Sequence, residues 1–430
     1  CHKTAILSRL SRGCNESVIF LLEESGPFMS KPAPSTSEKQ RVALSRRSER
    51  EVPAWLRGIY AGICVYLFLA ALGVMGSGLG TFGDASDFLS TLFAYGENPF
   101  IALLAGVLVT MIVQSSSFTT ALIVALVASG EMRLGTAVFA VMGANIGTAV
   151  TGVIVALANM RIRRNFRRSF SAALMHDFFN MLTVLIIFPI EWISGLLHDS
   201  GRGLFTRFAS WLAELIGLDE VARPGSPIKV ITEPVVSMSN NLAGLFTATP
   251  AAHGLVVAAL GMLLLFIALI FMVKNLRGAL LRHMDGLFST YFFRSDLRSY
   301  SVGLLATVLV QSSSITSSLM VPLAGAGVVR LRRVLPYMMG ANLGTTLTTV
   351  LAATANPVAA AMTVALFHVM FNLTGTAVWY PLRRIPFRIA VWYGKLAANK
   401  TRYAFLFLIG LFLVVPAVGI GVVELVMSLR

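Results

Sequence analysis

The stretch "VQSSSFTTAL" (residues 113–122) lies inside a long apolar region, and a near copy, "VQSSSITSSL", follows at 310–319. Each sets one amide and a run of hydroxyls between two apolar segments, 100–113 and 118–128 in the first case, 302–310 and 315–326 in the second. A helix needs about 20 apolar residues to cross a bilayer, so none of the four segments spans alone. Irregular backbone at membrane depth survives only where protein buries it or where it lines a polar cavity. Each QSSS is therefore read as the tip of a re-entrant helical hairpin near the bilayer midplane.

The composition supports that reading. Of 430 residues, 56% are hydrophobic and 13% charged, about half the charged fraction of a soluble chain. Apolar runs at 59–80, 137–158, 254–273 and 403–423 are long enough to span. The fold class is an all-α polytopic membrane protein. A net charge of +15 is explained by Lys and Arg in the short segments between apolar runs, as the positive-inside rule expects; no nucleic-acid motif accompanies it. Cys1, Cys14 and Cys64 form neither a disulfide framework nor a metal pattern. Residues 1–28 have no signal-peptide layout, and Met29 opens a polar, basic stretch typical of a cytoplasmic tail.

The QSSS stretches belong to a larger duplication. Gln114 and Gln311 are 197 residues apart, as are Asn145 in "VMGANIGTAVT" and Asn342 in "MMGANLGTTLT". Asn180 in "MHDFFNML" and Asn372 in "FHVMFNLT" are 192 apart, as are Pro189 and Pro381. Matched blocks in one order at near-constant spacing mark an internal repeat. The charges give its sense. Arg161, Arg163, Arg164, Arg167 and Arg168 follow the first GAN block, whereas Arg330, Arg332 and Arg333 precede the second. If basic loops are cytoplasmic, corresponding helices cross in opposite directions, the inverted-topology repeat of secondary transporters. The expected organisation is a cytoplasmic tail (1–54), repeat 1 (55–195), an extracellular or interfacial connector (196–253), a linking helix with a cytoplasmic loop (254–300), repeat 2 (301–382), and a basic loop with a last spanning helix (383–430).

The tips carry chemistry. A helix starting just after each tip offers free N–H groups and its positive dipole end, which with Ser115, Ser116, Ser117, Ser312, Ser313 and Ser314 makes an anion cradle. The same hydroxyl and amide oxygens suit Na⁺. Asn145 with Gly147, and Asn342 with Gly344, are expected to unwind their helices and expose Thr148, Thr345 and Thr348. Asp177 is a carboxylate inside an apolar helix, costly and functional by default; Val369 takes its place in the second repeat. His176 and His368 recur and are read as structural hydrogen-bonders. Neither hairpin segment contains Lys or Arg, so a bound anion needs co-bound cations, which would couple the two fluxes.

These residues bear a family likeness. The doubled VQSSS, "GANIGT", "FRRSF", "HDFFN", "IKVITEP" and "GANLGTT" resemble the type II sodium/phosphate cotransporters over 55–412. The resemblance implies a sodium-coupled inorganic phosphate importer of the plasma membrane, not an enzyme, with no organic cofactor. It places phosphate on Gln114, Ser115, Ser116, Ser117, Ser312, Ser313 and Ser314, beside Asn145 and Asn342, and sodium on Gln311, Ser312, Ser314, Thr345, Thr348, Asp177 and Asn180. Asp177 is like the Asp of electrogenic members. The likeness lapses at Ile154, Asn159 and Ile162, where animal members carry Thr, Gln and an acidic residue. The short, cysteine-free segment 195–227 is closer to a bacterial member. Residue chemistry alone leaves open another oxyanion, or an uncoupled facilitator or channel. An enzyme acting on phosphate esters would need a base near the serines, and the hairpins hold no His, Asp or Glu. The oligomeric state is not legible.

Inversion has a direct test. With native cysteines replaced, a cysteine introduced at Arg164 and one at Arg332 should each react with an impermeant maleimide only from the cytoplasmic side; labelling of either from outside would contradict the inverted arrangement.

Overall fold

The computed structural model describes residues 54–85, 98–215, 227–282, 292–355 and 358–428. Residues 1–53 of the expected cytoplasmic tail and 216–226 of the connector lie outside them. Among the described residues the chain is helical, with no strand. Helix α1 is Ala54–Ala85, α2 Pro99–Val113, α3 Ser116–Ala128, α4 Leu134–Gly147, α5 Val150–Leu157 and α6 Arg163–Leu196. After α7 (Leu204–Leu215), α8 (Pro227–Gly244) and α9 (Pro250–Arg282) come α10 (Asp296–Val310), α11 (Ser313–Gly325), α12 (Leu331–Ala355) and α13 (Ala359–Trp379). The chain closes with α14 (Arg384–Asn399), α15 (Arg402–Ile409), a π turn at Gly410–Val414 and α16 (Val415–Ser428).

Among the described residues, five stretches are long and apolar enough to cross a membrane: Gly62–Leu79, Leu134–Leu157, Arg163–Leu196, Ala359–Trp379 and Arg402–Val423. Large apolar side chains face outward on them, among them Leu185, Leu413 and Val422, the arrangement that a hydrocarbon surround favours. The hairpin helices α2, α3, α10 and α11 are shorter, at 13 or 15 residues. Each QSSS joins two of these short helices, as the helix pairs α2–α3 and α10–α11. Helix α10 starts at Asp296, earlier than expected, with Ser295 as its N-cap accepting from the Arg298 N–H.

The two hairpins are built alike. Gln114 and Gln311 end α2 and α10 in the left-handed region, at φ 58° and 53°, the two non-glycine residues with positive φ among those described. Ser115 and Ser312 follow in near-identical extended conformations and open the return helices. Thr110 bonds Thr119 across the first hairpin at 2.9 Å, and Thr307 meets Thr316 across the second at 2.7 Å. All these pairs keep the 197-residue offset.

Each hairpin lies flush on its GAN helix through glycines. A Cβ on Gly106 would come within 2.2 Å of the Ala140 carbonyl oxygen, and one on Gly143 within 1.9 Å of that of Leu103. Gly303 and Gly340 repeat the contact against the carbonyl oxygens of Tyr337 and Tyr300, each at 2.0 Å. One step on, Gly147 packs on Thr110 and Gly344 on Thr307. This corrects the expected unwinding. Helix α12 runs unbroken through Asn342 and Gly344. The first copy breaks only at Thr148–Ala149, both in right-handed helical geometry. The second glycine of each block, Gly147 or Gly344, serves close approach to a threonine, not release of the backbone.

Helix α6 is the organiser. Its 34 residues span about 51 Å, well beyond a ~30 Å hydrocarbon core. It touches α5, α11, α12, α13 and α14. Pro189 lies inside it, whereas Pro381 follows the end of α13, so the two copies end differently. At the far end, buried Glu191 accepts the Phe205 N–H (2.8 Å), the Thr206 N–H (3.2 Å) and the Thr206 hydroxyl, capping α7. Asp296 pairs with Arg333 and, at 3.4 Å, with Arg383, tying the base of the second hairpin to the starts of α12 and α14.

The glycine contacts predict opposite signs for one substitution. Gly143→Ala and Gly340→Ala should each cost about 1–3 kcal/mol through overpacking and lower Tm in detergent. Gly135→Ala, where the added methyl meets nothing within 4 Å, should leave Tm unchanged or raise it. Equal melting of all three would refute the close-packing account.

Candidate functional site

The tips meet. The Ser117 hydroxyl donates to the Gln311 carbonyl at 2.9 Å, so the first residues of one return helix close on the reversal of the other hairpin. Ser116, Ser117, Ser312, Ser313 and Ser314 are buried, as is Gln311, while Gln114 and Ser115 are half-buried. The second tip is enclosed by protein and the first is partly open.

Both glutamine side chains are latched at both ends. Gln114 donates through Nε2 to the Met111 carbonyl, and Gln311 to that of Val308 at 2.6 Å. In return the Thr151 hydroxyl donates to Gln114 Oε1, and the Thr348 hydroxyl to Gln311 Oε1, both at 2.8 Å. Thr348, expected to hold sodium, here bonds Gln311; Thr151 was not singled out, though its 197-residue offset from Thr348 marks it. The Ser115 hydroxyl accepts the Phe118 N–H at 3.2 Å, whereas Ser312 caps nothing, leaving more free donor capacity at the second tip. Thr345 donates back to the Ala341 carbonyl at 3.1 Å and keeps its oxygen lone pairs for a further partner.

Behind the tips, the helices that follow them cross-bond the two repeats. His176 bonds Asn342 at 2.5 Å, and His368 meets Asn145 at 3.4 Å, each histidine reaching the asparagine of the other repeat. Asn180 donates to the Asn145 carbonyl and accepts from Asn342 Nδ2, both at 2.6 Å. Thr349 joins His368 (2.8 Å) to Thr120 (3.0 Å) on the first return helix. Sequence reasoning read His176 and His368 as hydrogen-bonders and singled out Asn145, Asn180 and Asn342 as ligands, which here bond one another; it did not single out Thr120 or Thr349. Their counterparts are Ser317 and Gly152, so the repeat does not mark this pairing.

Asp177 is fully buried, and neither carboxylate oxygen has a hydrogen-bond partner. It does not pair with the arginines that open α6. The register of α6 on α11 shows what it adjoins. Gly325 packs on Ser169, and Ala173 and Val321 meet over Gly152, so the two helices run antiparallel. One further turn sets Asp177 level with Ser317, beside the start of α11 and the second tip. Ile154 and Ile162 are exposed at the surface.

A polytopic helical bundle in which two matched hairpins bring hydroxyls, amides and one unpartnered carboxylate to a shared buried centre has the build of a membrane transporter. The pattern of the family described as Na+/Pi-cotransporter matches residues 67–194 and 246–394. Each stretch holds one QSSS tip, one GAN block and one His–Asn helix. The chain is 32% identical to sodium-dependent phosphate transport protein 2A of Mus musculus, over 94% of this chain and 73% of that protein. It is 31% identical to the Ovis aries 2A protein over 93% and 73%, and 30% identical to the 2B protein of Homo sapiens over 83% and 64%. No solved structure matches the chain. The chain belongs to the type II sodium/phosphate cotransporter family, a family of transporters and not of enzymes.

The Asn180–Asn342 bond joins the repeats directly, and a double-mutant cycle measures it. Asn180→Ala and Asn342→Ala should show a coupling on the order of 0.5–2 kcal/mol in detergent unfolding. Strict additivity would mean that the bond carries no energy between the repeats.

Proposed function

We propose that this protein imports inorganic phosphate coupled to sodium, as a secondary symporter working by alternating access. The observation that carries the reading is the tip-to-tip contact. Two QSSS reversals from opposite ends of a duplicated chain converge in one buried place, with an unpartnered carboxylate beside them. The names of the relatives point the same way. In this reading the repeats have inverted topology and the hairpins are re-entrant. Gln114, Ser115, Ser116 and Ser117 face Ser312, Ser313 and Ser314 across the phosphate, with Asn145 and Asn342 behind. Hydroxyls and the first N–H groups of α3 and α11 supply the donors that a phosphate needs.

No Lys or Arg stands in the tips to neutralise the anion. Sodium ions would do so, held as co-substrate by oxygens of Gln311, Ser312, Ser314, Thr345 and Thr348, with a further ion on Asp177 and Asn180. Near neutral pH phosphate is largely divalent, so two sodium ions make the step electrically silent and a third makes it carry charge. A buried carboxylate without a partner is costly, and a cation at Asp177 would relieve that cost. The cycle is therefore electrogenic, with phosphate and sodium entering together.

Proteoliposomes containing the purified chain should accumulate labelled phosphate under an inward sodium gradient and not under a choline gradient. Sulfate should compete poorly, and phosphate addition should evoke inward current. Asp177→Gly should abolish the current, retain some uptake and take about one fewer sodium per phosphate. Sodium-independent uptake would favour a facilitator, and strong competition by sulfate another oxyanion. Flux without current in the unaltered protein would remove Asp177 from a sodium site.

A further inference from the structure

The segment between the last two spanning stretches is not a loop but the helix α14, and its outward face is basic. Arg388, Trp392 and Lys395 lie along one exposed stripe, at helical spacing. The opposite face, with Ala390, Gly394 and Ala397, is buried. Gly394 lets α14 lie against α6 at Ser171, where a Cβ would come within 2.1 Å of the Ser171 hydroxyl. Tyr393 stacks on Phe170 with centroids 6.4 Å apart, and Arg163 bonds Asn399. These contacts run antiparallel and bring exposed Arg167, on the opening turns of α6, level with Lys395. Arg164 is exposed beside it.

Asp296 pairs with Arg383 at the start of α14, but the stretches that carry Arg164, Arg167, Arg388 and Lys395 hold no acidic residue. No Asp or Glu occurs between Leu134 and His176, nor between Leu297 and Val423. Trp392, 63% exposed, sits among the cations and not in the core. An exposed Trp among Lys and Arg, on an amphipathic helix that joins two spanning stretches, matches the membrane interface, where indole rests at headgroup level and cations meet lipid phosphates.

We propose that the outward face of α14, with the opening turns of α6, is a binding site for the headgroup of an anionic phospholipid. The charge selects an anionic over a zwitterionic headgroup. Trp392 and the adjoining apolar surface select a lipid over a free anion. Because α14 lies on α6, which also carries Asp177 and Asn180, a bound lipid would brace the transport scaffold from its surface.

The full chain is reconstituted into phosphatidylcholine nanodiscs doped with phosphatidylglycerol, re-extracted, and its co-purifying lipid quantified. The unaltered protein should retain phosphatidylglycerol several-fold above its share of the bilayer. The triple variant Arg167→Gln, Arg388→Gln, Lys395→Gln should fall to about the bulk proportion. Excess inorganic phosphate should not displace the lipid. In the otherwise unaltered chain, the fluorescence component lost in Trp392→Phe should be quenched more by brominated phosphatidylglycerol than by brominated phosphatidylcholine. Four results would each overturn the site: no enrichment, enrichment unchanged in a folded triple variant, equal quenching by both lipids, or displacement by inorganic phosphate, which would assign the patch to a soluble anion.

Discussion

A helix that reverses inside a protein must find partners for the backbone groups that the reversal frees, because burying them unpaired costs more than most single interactions return. In this chain two such reversals stand at Gln114 and Gln311, and much of the architecture follows from satisfying them. Each glutamine takes a left-handed conformation that few non-glycine residues adopt. Its N–H closes on a threonine carbonyl, and its side chain is held by a carbonyl of its own helix and a hydroxyl from the GAN block or the turn just after it. Those bonds need the GAN helix within backbone contact of the hairpin, which the paired glycines permit. The Gln311 carbonyl is met by the Ser117 hydroxyl of the other repeat, so the hairpins complete one another.

On this matched frame the two copies diverge at a few positions close to the tips. Asp177 faces Val369 as its counterpart, and Thr349 faces Gly152. Asn180 is bonded through both ends of its amide, whereas the Asn372 oxygen is buried without a partner. The first tip is partly open and the second enclosed. Duplication supplied the scaffold twice, and the carboxylate, hydroxyl and packing differences break its symmetry into a single centre.

The hairpins were legible because polar residues in an apolar run have few physical readings, and because the second copy repeated the first. The 197-residue offset singled out the matched pairs Gln114/Gln311 and Asn145/Asn342 before any geometry was known. It also carried the glycine–carbonyl and Gln–Thr contacts, although their meaning needed coordinates. The reading failed where one residue type serves two ends. Gly344 was taken to free the backbone of α12, and it instead admits the Thr307 side chain. Contacts between repeats, such as Ser117–Gln311 and the crossed His–Asn bonds, were hidden because an offset relates equivalent residues and not touching ones. The basic segment after residue 383 read as a loop because its charges masked the amphipathic spacing of α14.

The central claim is that both tips bind one phosphate. Its most direct test is phosphate uptake at saturating sodium by Ser116→Ala and by Ser313→Ala, one serine from each hairpin. A hydrogen bond to a charged group is worth about 1.5–3 kcal/mol, so each variant should lower apparent phosphate affinity on the order of tenfold or more at normal membrane levels. Unchanged uptake kinetics in both variants would contradict the account.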